Sequence, residues 1–419
     1  MNVGERLLQR LVGGEIERAL RPLLVTAGLG VAATYMFWSM FALWAIDELE
    51  MTKGDVGLAY LGAALLGMVG GFAGGALSDR LGRRPVILVS TAIQLGLAAI
   101  LVVPSLPVPA AVAVLLCFGL VQPIRGATYG ALLADLVPEG RRTLAFGSFR
   151  VAFNAGALIG PIVAGALATG SWAAVHVGIV VALALSGLSA LRLPRVSPPV
   201  AGSRQRSLWR LVCSRVFFAL LVAGVLASTT YNAFETLFPI SLTQEHGYEP
   251  LAWGVLFGIN PLLVTLMQLR VTRWSEPLPM GVRLAVGLAL MGTPFLALLV
   301  NATPIVLALI VVVFVIGEML WSPNADALTA RAAPVESRGA FLGALGVSTW
   351  IGGAIAPAVG LRVADAAGDA AMWSAIAGIS LAGGAVFLVA DRLVATRSQP
   401  EAQRGLVSRV VGEGGGAHR

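Results

Sequence analysis

Long apolar segments alternate with short polar ones along almost the whole chain. The apolar runs are continuous and 18 or more residues long, whereas the strands of a membrane β-barrel alternate polar and apolar positions. A helix that crosses a bilayer needs about 20 apolar residues. The pattern therefore predicts an all-α membrane protein with twelve spans, at 22–46, 56–78, 86–104, 108–136, 143–169, 172–192, 211–240, 252–273, 282–300, 304–329, 339–362 and 371–391.

Composition agrees with this pattern. Of the 419 residues, 57% are hydrophobic and only 12% are charged, whereas a soluble domain carries about 25% charged residues. A soluble enzyme and a disordered chain are both excluded. The two cysteines lie far apart in or beside apolar spans and suggest neither a disulfide framework nor a metal site.

The placement of basic residues predicts the orientation of the chain. Twelve spans put 25 of the 29 Lys and Arg residues on one side of the membrane. Lys53 and Arg362 lie alone on the other side, and Arg125 and Arg150 lie inside spans. Positive charge collects in cytoplasmic loops. We therefore expect a multi-pass protein of the cell inner (cytoplasmic) membrane with both termini in the cytoplasm.

The chain divides into two similar halves. A Pro-, Ser- and Arg-rich stretch at 193–210 predicts a cytoplasmic linker between six-helix bundles at 22–192 and 211–391, with an N-terminal cytoplasmic or interfacial segment at 1–21 and a cytoplasmic tail at 392–419. Residues 138–161 and 334–357 match at a constant offset of 196, so that Pro161 corresponds to Pro357. Such duplication is typical of transporters built from two related bundles.

The loop after span 2 carries a compact motif, Gly-Ala-Leu-Ser-Asp-Arg-Leu-Gly-Arg-Arg-Pro at 75–85. Glycine permits a tight turn, the aspartate can cap a neighbouring helix, and the arginines can meet lipid headgroups and cytoplasmic carboxylates. We expect Asp135 to pair with these arginines as a cytoplasmic latch. The motif resembles the loop signature of the major facilitator superfamily, and its gating residues are Gly75, Asp79, Arg80, Gly82, Arg83, Arg84 and Asp135.

Span 5 has small residues that resemble the family's antiporter motif, although Ala164 replaces a usual glycine. They allow close helix approach and a proline bend, and simple tight packing is the alternative reading. The motif residues are Gly147, Gly156, Gly160, Pro161 and Gly165. Glycine rows on spans 2, 8 and 11 are expected where the family's halves meet, at Gly67, Gly71 and Gly75, at Gly254 and Gly258, and at Gly352 and Gly360.

Five ionisable residues fall inside spans, where a charge is costly and is by default a functional hypothesis. They are Arg125, Arg150, Glu235, Glu318 and Asp326. The resemblance implies that spans 1, 4, 7 and 10 line a central cavity. Arg125 and Glu318 have comparable depths and can pair across it. We expect Glu318 to be the main proton or substrate carboxylate and Glu235 the second, with a structural salt bridge or a solvated cavity wall as the alternative.

Aromatic and amide side chains on the same helices suit apolar or cationic substrates, although interfacial or lipid-facing rings would look the same in sequence. They are Tyr35, Trp38, Tyr231, Asn232 and Trp321. The resemblance is nearest to the twelve-span drug:proton antiporter branch, whose span 4 arginine corresponds to Arg125. Span 1 departs from that branch because its interior lacks an acidic residue.

The resemblance implies a proton-coupled multidrug efflux antiporter for small amphiphilic molecules that works by alternating access and is not an enzyme. Two alternatives remain, a transporter of an anionic metabolite held by Arg125 and Arg150, and a lipid or lysolipid translocase. We expect membrane lipid, a small-molecule substrate and protons as partners, a monomer, and no cofactor, metal or nucleic acid.

Overall fold

The computed structural model describes residues 14–137, 142–195, 214–333 and 338–414, with side chains for 20–137, 145–195, 214–333 and 345–396. This part of the chain is almost entirely helical and contains no strand. The helices are α1 (Gly14–Asp47), α2 (Lys53–Leu81), α3 (Arg83–Leu101), α4 (Val108–Leu136), α5 (Arg142–Ala168), α6 (Trp172–Ala190), α7 (Arg215–Ile240), α8 (Pro250–Ser275), α9 (Met280–Gly292), α10 (Pro304–Ala332) and the long helix Arg338–Gly414.

The described residues form eleven helices long and apolar enough to cross a membrane. The last of these candidate spans, Leu345–Thr396, has 52 residues. At about 1.5 Å per residue it is more than twice as long as a bilayer core is thick. Gly368 breaks it with φ 83° and ψ 167°, so it makes two crossings, α11 (338–367) and α12 (369–414). The predicted twelve-span all-α fold is confirmed.

Local sequence explains where the helices depart from the predicted spans. The predicted loop between spans 11 and 12 shrinks to Gly368, because the flanking segment is rich in alanine, the best helix former. Span 9 changes from α9 to a 3₁₀ helix over Thr293–Leu299, where Pro294 removes a backbone donor. Span 7 continues as a π-helical turn over Ser241–Glu245. Most of the predicted linker and the start of the chain lie outside the described residues.

The two halves, α1–α6 and α7–α12, meet along two helix pairs, α5 with α8 and α2 with α11. Glycines let the backbones touch there. A Cβ at Gly254 would lie 2.3 Å from the Pro161 carbonyl oxygen, and one at Gly57 would lie 2.5 Å from the Pro357 carbonyl oxygen. The prediction that Gly254 and Gly258 face span 5 is confirmed.

The other small residues are divided between neighbours in their own half and neighbours in the opposite half. Gly156 and Gly160 pack on the backbone of α1, whereas Gly165 reaches α8. The expectation for the span 11 glycines is wrong, because Gly352 and Gly360 pack against α7 rather than α2. The span 2 row is split, since Gly67 lies against the Trp350 ring while Gly75 and, in span 5, Gly147 have open space where a side chain would be.

Candidate functional site

A cavity of about 310 Å³ lies between the two halves. Its walls come from α1, α2, α4 and α5 on one side and from α7, α8 and α11 on the other. Eight of the lining side chains are aromatic rings that can hold an apolar body, namely Tyr35, Trp38, Tyr60, Tyr129, Phe149, Phe153, Phe257 and Trp350. The predicted cavity residues Tyr35, Trp38 and Asn232 all lie on these walls.

Two charged side chains face the cavity from opposite halves, Arg125 on α4 and Glu235 on α7. Glu235 is the only carboxylate among the described lining residues, and no described lining residue comes from α10. The cavity therefore has one basic and one acidic wall. The sequence places Glu235 second to Glu318, whereas the geometry gives Glu235 the direct access to the cavity.

Arg125 is 2% exposed and is held by neutral groups. Its Nη2 donates to the Gly30 carbonyl oxygen at 3.1 Å and to the Thr34 hydroxyl at 2.8 Å. The Tyr129 ring lies beside it, with 5.9 Å between the guanidinium carbon and the ring centroid. The expected pair with Glu318 does not form, and Arg125 has no ion pair within the part of the chain that the structure describes.

Glu318 lies outside the cavity, on the face of α10 toward α8. The Asn260 side-chain amide donates to its Oε2 at 2.5 Å, and Asn260 itself is 8% exposed. Equal depth along two helices did not bring Arg125 and Glu318 together, because the rotation of α10 turns Glu318 toward α8. The neutral amide of Asn260 takes the place of the predicted cation.

The remaining predicted residues of α10 and their neighbours also lie off the cavity walls. Trp321 packs against the Tyr231 ring with 6.2 Å between centroids, and neither residue lines the cavity. Asp326 is exposed on the last turns of α10, and Arg150 is exposed on α5. Arg150 is near enough to Glu318 and Asp326 to act on both electrostatically.

The signature loop forms a polar cluster at one end of the bundle, which we call the arginine end. Arg83 Nε donates to Asp135 Oδ2 at 2.9 Å, and Arg83 Nη1 donates to Ser78 Oγ at 2.6 Å and to Asp79. The predicted pairing of Asp135 with this loop is confirmed. The Asp79 carboxylate accepts from Arg83, and α3, which begins at Arg83 with Gly82 as its N-cap, has no side-chain cap.

The remaining arginines of the loop differ in their contacts. Arg84 Nη2 donates to the Leu191 carbonyl oxygen at the end of α6, at 2.7 Å. Arg80 is exposed, and Gly82 adopts the positive φ of 91° that the turn requires. Together, the contacts of Arg83 and Arg84 tie α2, α3, α4 and α6 to one another within the first half.

The opposite end, which we call the lysine end, is held by contacts between the halves. Lys53 Nζ lies 2.5 Å from Glu245 Oε1 and 4.0 Å from Asp369 Oδ1. The backbone N–H of Gly54 donates to Asp365 Oδ2 at 2.9 Å. Gln244 Nε2 donates to Asp47 Oδ1 at 2.9 Å. We call this set the lysine latch.

Sequence reasoning missed several residues that the structure brings to the site, and three of them show why. Asn260, Tyr129 and Trp350 contact the candidate groups or line the cavity. A signal existed for Asn260, since an amide inside a membrane span needs a polar partner on a neighbouring helix. The two aromatic residues carry no such signal, because lipid-facing and cavity-facing rings look alike in sequence.

Comparisons with known proteins agree with this architecture. The chain is 26% identical over 359 residues to multidrug resistance protein MdtH of Cronobacter sakazakii, covering 82% of this chain and 86% of that protein. It is 23% identical over 365 residues to a Na(+), Li(+), K(+)/H(+) antiporter of Planococcus maritimus, covering 77% and 84%. A solved POT family transporter, crystallised with a thioalcohol-conjugated peptide, shares the fold at 14% identity with a TM-score of 0.77, covering 90% and 96%.

The family model of the Major Facilitator Superfamily matches residues 23–357, which include the signature loop, the span 5 motif and every described residue that lines the cavity. Twelve spans in two halves around a central cavity are the architecture expected of a transporter with two related bundles. The chain is a multi-pass membrane protein and belongs to the Major Facilitator Superfamily.

Proposed function

We propose that the protein is a proton-coupled exporter of small amphiphilic molecules that works by alternating access. One observation carries this proposal: Glu235 is the carboxylate among the described residues that faces a cavity lined by eight aromatic rings between the halves. A carboxylate that binds either a proton or a substrate can couple their opposite movements. The rings of the cavity supply the apolar surface that an amphiphile needs.

The relatives support the direction and the coupling. One relative is named as a multidrug resistance protein and another as a cation/H(+) antiporter, and the span 5 motif resembles that of exporters. The names of the family and of the relatives are those of transporters rather than enzymes. In this proposal the partners are membrane lipid, the substrate and protons, and the protein acts as a monomer.

Charge placement supports the orientation that we propose. The arginine end faces the cytoplasm of the inner membrane, together with both termini, because the great majority of basic residues lie there. The lysine end then faces outward and is closed by the lysine latch, so this structure corresponds to a state with the outer side shut. Opening the latch while the arginine end closes would complete the alternating-access cycle.

Glu318 takes a secondary place in this proposal. It lies next to the cavity without lining it and is held by Asn260. Tyr231 and Glu235 lie one helical turn apart on α7, and the Tyr231 ring packs on Phe314 of α10, one turn from Glu318. This arrangement suits a second carboxylate that influences Glu235 electrostatically.

Transport by carboxylate variants tests the proposal. Purified protein in liposomes is screened with a library of amphiphilic dyes and antibiotics under an imposed pH gradient. For the compound that is transported, Glu235→Gln is expected to abolish gradient-driven accumulation, because a neutral side chain cannot exchange a proton. Glu318→Gln is expected to reduce this accumulation by a smaller amount. The control is the same substitution at an exposed residue, Glu249→Gln, which is expected to leave accumulation unchanged.

The outcomes separate the two carboxylates. Full gradient-driven transport by Glu235→Gln, with loss in Glu318→Gln, would move the proton site to Glu318 and overturn the proposed role of Glu235. Gradient-driven transport that survives both substitutions would overturn proton coupling through either residue.

A further inference from the structure

Arg125 is a buried charge without a counter-charge. It is 2% exposed, and its named partners are the neutral oxygens of Gly30 and Thr34. Its second terminal nitrogen, Nη1, is buried and has no hydrogen-bond partner among the described residues. An uncompensated buried charge is strongly destabilising, and inside a membrane such residues mark binding sites and ion pathways.

The helices around Arg125 provide no carboxylate at its depth. Residues 22–46 of α1 contain no Asp or Glu, and on α4 the only acidic residue is Asp135, which pairs with Arg83. Glu235 faces Arg125 from the opposite wall of the cavity without forming an ion pair. An anionic molecule in the cavity would supply the negative charge that the described residues do not bring to Arg125.

No side chain crowds Nη1 from position 30, because that residue is glycine. A Cβ at Gly30 would lie 3.3 Å from Arg125 Nη1, 3.3 Å from the Tyr129 hydroxyl oxygen and 3.1 Å from Ser186 Oγ. Tyr129 is 3% exposed, and Ser186 donates its hydrogen to the Thr26 carbonyl oxygen at 2.8 Å. The Arg125 Nη1 and the Tyr129 hydroxyl, both buried and without a hydrogen-bond partner among the described residues, thus lie close to the same point beside Gly30.

We propose that this arginine pocket, formed by Arg125, Tyr129 and Gly30, binds the anionic group of an aromatic amphiphile. The inference rests on the proposed function and narrows its substrate class to molecules that carry a carboxylate or a similar anion. The guanidinium donates charge-assisted hydrogen bonds to the anion, and Tyr129 donates a further one. The aromatic body of the molecule lies against the rings of Tyr35 and Trp38.

Binding of a matched indole series tests the pocket. Indole-3-acetate, indole-3-acetamide and tryptamine share one aromatic body and differ in the charge of the side group. Thermal unfolding of the full chain in lipid nanodiscs is followed as each compound is titrated, without any gradient. We expect a saturable rise in melting temperature with indole-3-acetate, and at least tenfold weaker binding of the amide and the amine, since neither brings negative charge to Arg125.

Variants locate the anion. Gly30→Ala leaves the arginine in place but adds a methyl group 3.3 Å from Nη1, and is expected to weaken indole-3-acetate binding at least tenfold. Arg125→Gln should abolish the preference for the anion. If that variant does not fold, binding to Gly30→Ala still tests whether the anion lies beside Arg125. The control is Arg270→Gln, an exposed arginine of α8, which should bind like the wild type.

Four results would overturn the inference. These are equal stabilisation by tryptamine and indole-3-acetate, no saturable stabilisation by any of the three, an effect reproduced by sodium chloride alone, and loss of binding in Arg150→Gln but not in Gly30→Ala. Because the assay has no gradient, its failure is separate from that of the proposed function. Gradient-driven export of a cationic amphiphile would uphold proton-coupled export while removing the anion pocket.

Discussion

The lysine latch makes a quantitative prediction about the conformational equilibrium between a closed and an open lysine end. Lys53 is the chain's only lysine, and its Nζ lies 2.5 Å from Glu245 Oε1 across the two halves. Glu245→Gln removes this ion pair. We expect the substitution to increase the population in which the lysine end is open.

The magnitude follows from the exposure of the two side chains. The Lys53 side chain is 18% exposed and that of Glu245 is 44% exposed, so the pair is partly solvated and contributes about 0.5–1 kcal/mol. Asp369, 4.0 Å from Nζ, retains part of the attraction. The population of the open form is therefore expected to rise by about two- to fivefold, and high salt should produce a change in the same direction.

Two measurements on the same sample report this opening. A membrane-impermeant amine reagent labels Lys53, and mass spectrometry of the peptide that contains it separates this signal from the N-terminal amine. Hydrogen exchange of the Gly54 backbone N–H, which donates to Asp365 across the halves, reports opening without depending on lysine chemistry. Both rates should rise in Glu245→Gln and stay at the wild-type value in Glu249→Gln, an exposed glutamate at the same end.

A rise in labelling without a rise in exchange at Gly54 would refute the latch. It would mean that losing Glu245 changes only the reactivity of the amine, and that the halves stay together through other contacts. Equal effects of Glu245→Gln and Glu249→Gln would also refute it, because they would reduce the result to the net charge of this end.

Two further substitutions test contacts elsewhere in the fold. Gly254→Ala places a Cβ 2.3 Å from the Pro161 carbonyl oxygen and should destabilise the protein by about 1–3 kcal/mol, which lowers its melting temperature. The control Gly378→Ala adds a Cβ where there is open space and should leave the melting temperature unchanged. Asp135→Asn removes a carboxylate from buried Arg83 and should cost about 1–3 kcal/mol, and unchanged hydrogen-exchange protection at the start of α3 would contradict that role.

The sequence predicts the spans well because the bilayer imposes one strong requirement on each segment, about 20 apolar residues. The departures from the predicted spans arise where helix propensity acts against that pattern. The alanine-rich segment before Gly368 stays helical although it carries Arg362 and Asp365, and Pro294 converts the end of span 9 to a 3₁₀ helix. Neither effect alters the number of crossings.

The contacts of the lysine latch could not be predicted from one sequence. Lys53 and Glu245 are 192 residues apart, and their meeting depends on how the two halves are placed against each other. The Asp135–Arg83 pair was predictable, because both residues lie at the same end of helices that adjoin in the first half. Pairs within one bundle follow from topology, whereas pairs between bundles depend on the conformational state.

The position of a charge along a span was less informative than the direction it faces. Arg125 and Glu318 have similar depths, yet one lines the cavity and the other is turned toward Asn260 on α8. A rotation of 100° per residue separates neighbouring positions on a helix, so depth alone cannot pair two residues. The sequence does predict that Arg125 lacks a counter-charge, because residues 22–46 of span 1 contain no acidic residue. No described residue of another helix forms an ion pair with that arginine. A negatively charged substrate in the cavity would therefore supply the missing charge.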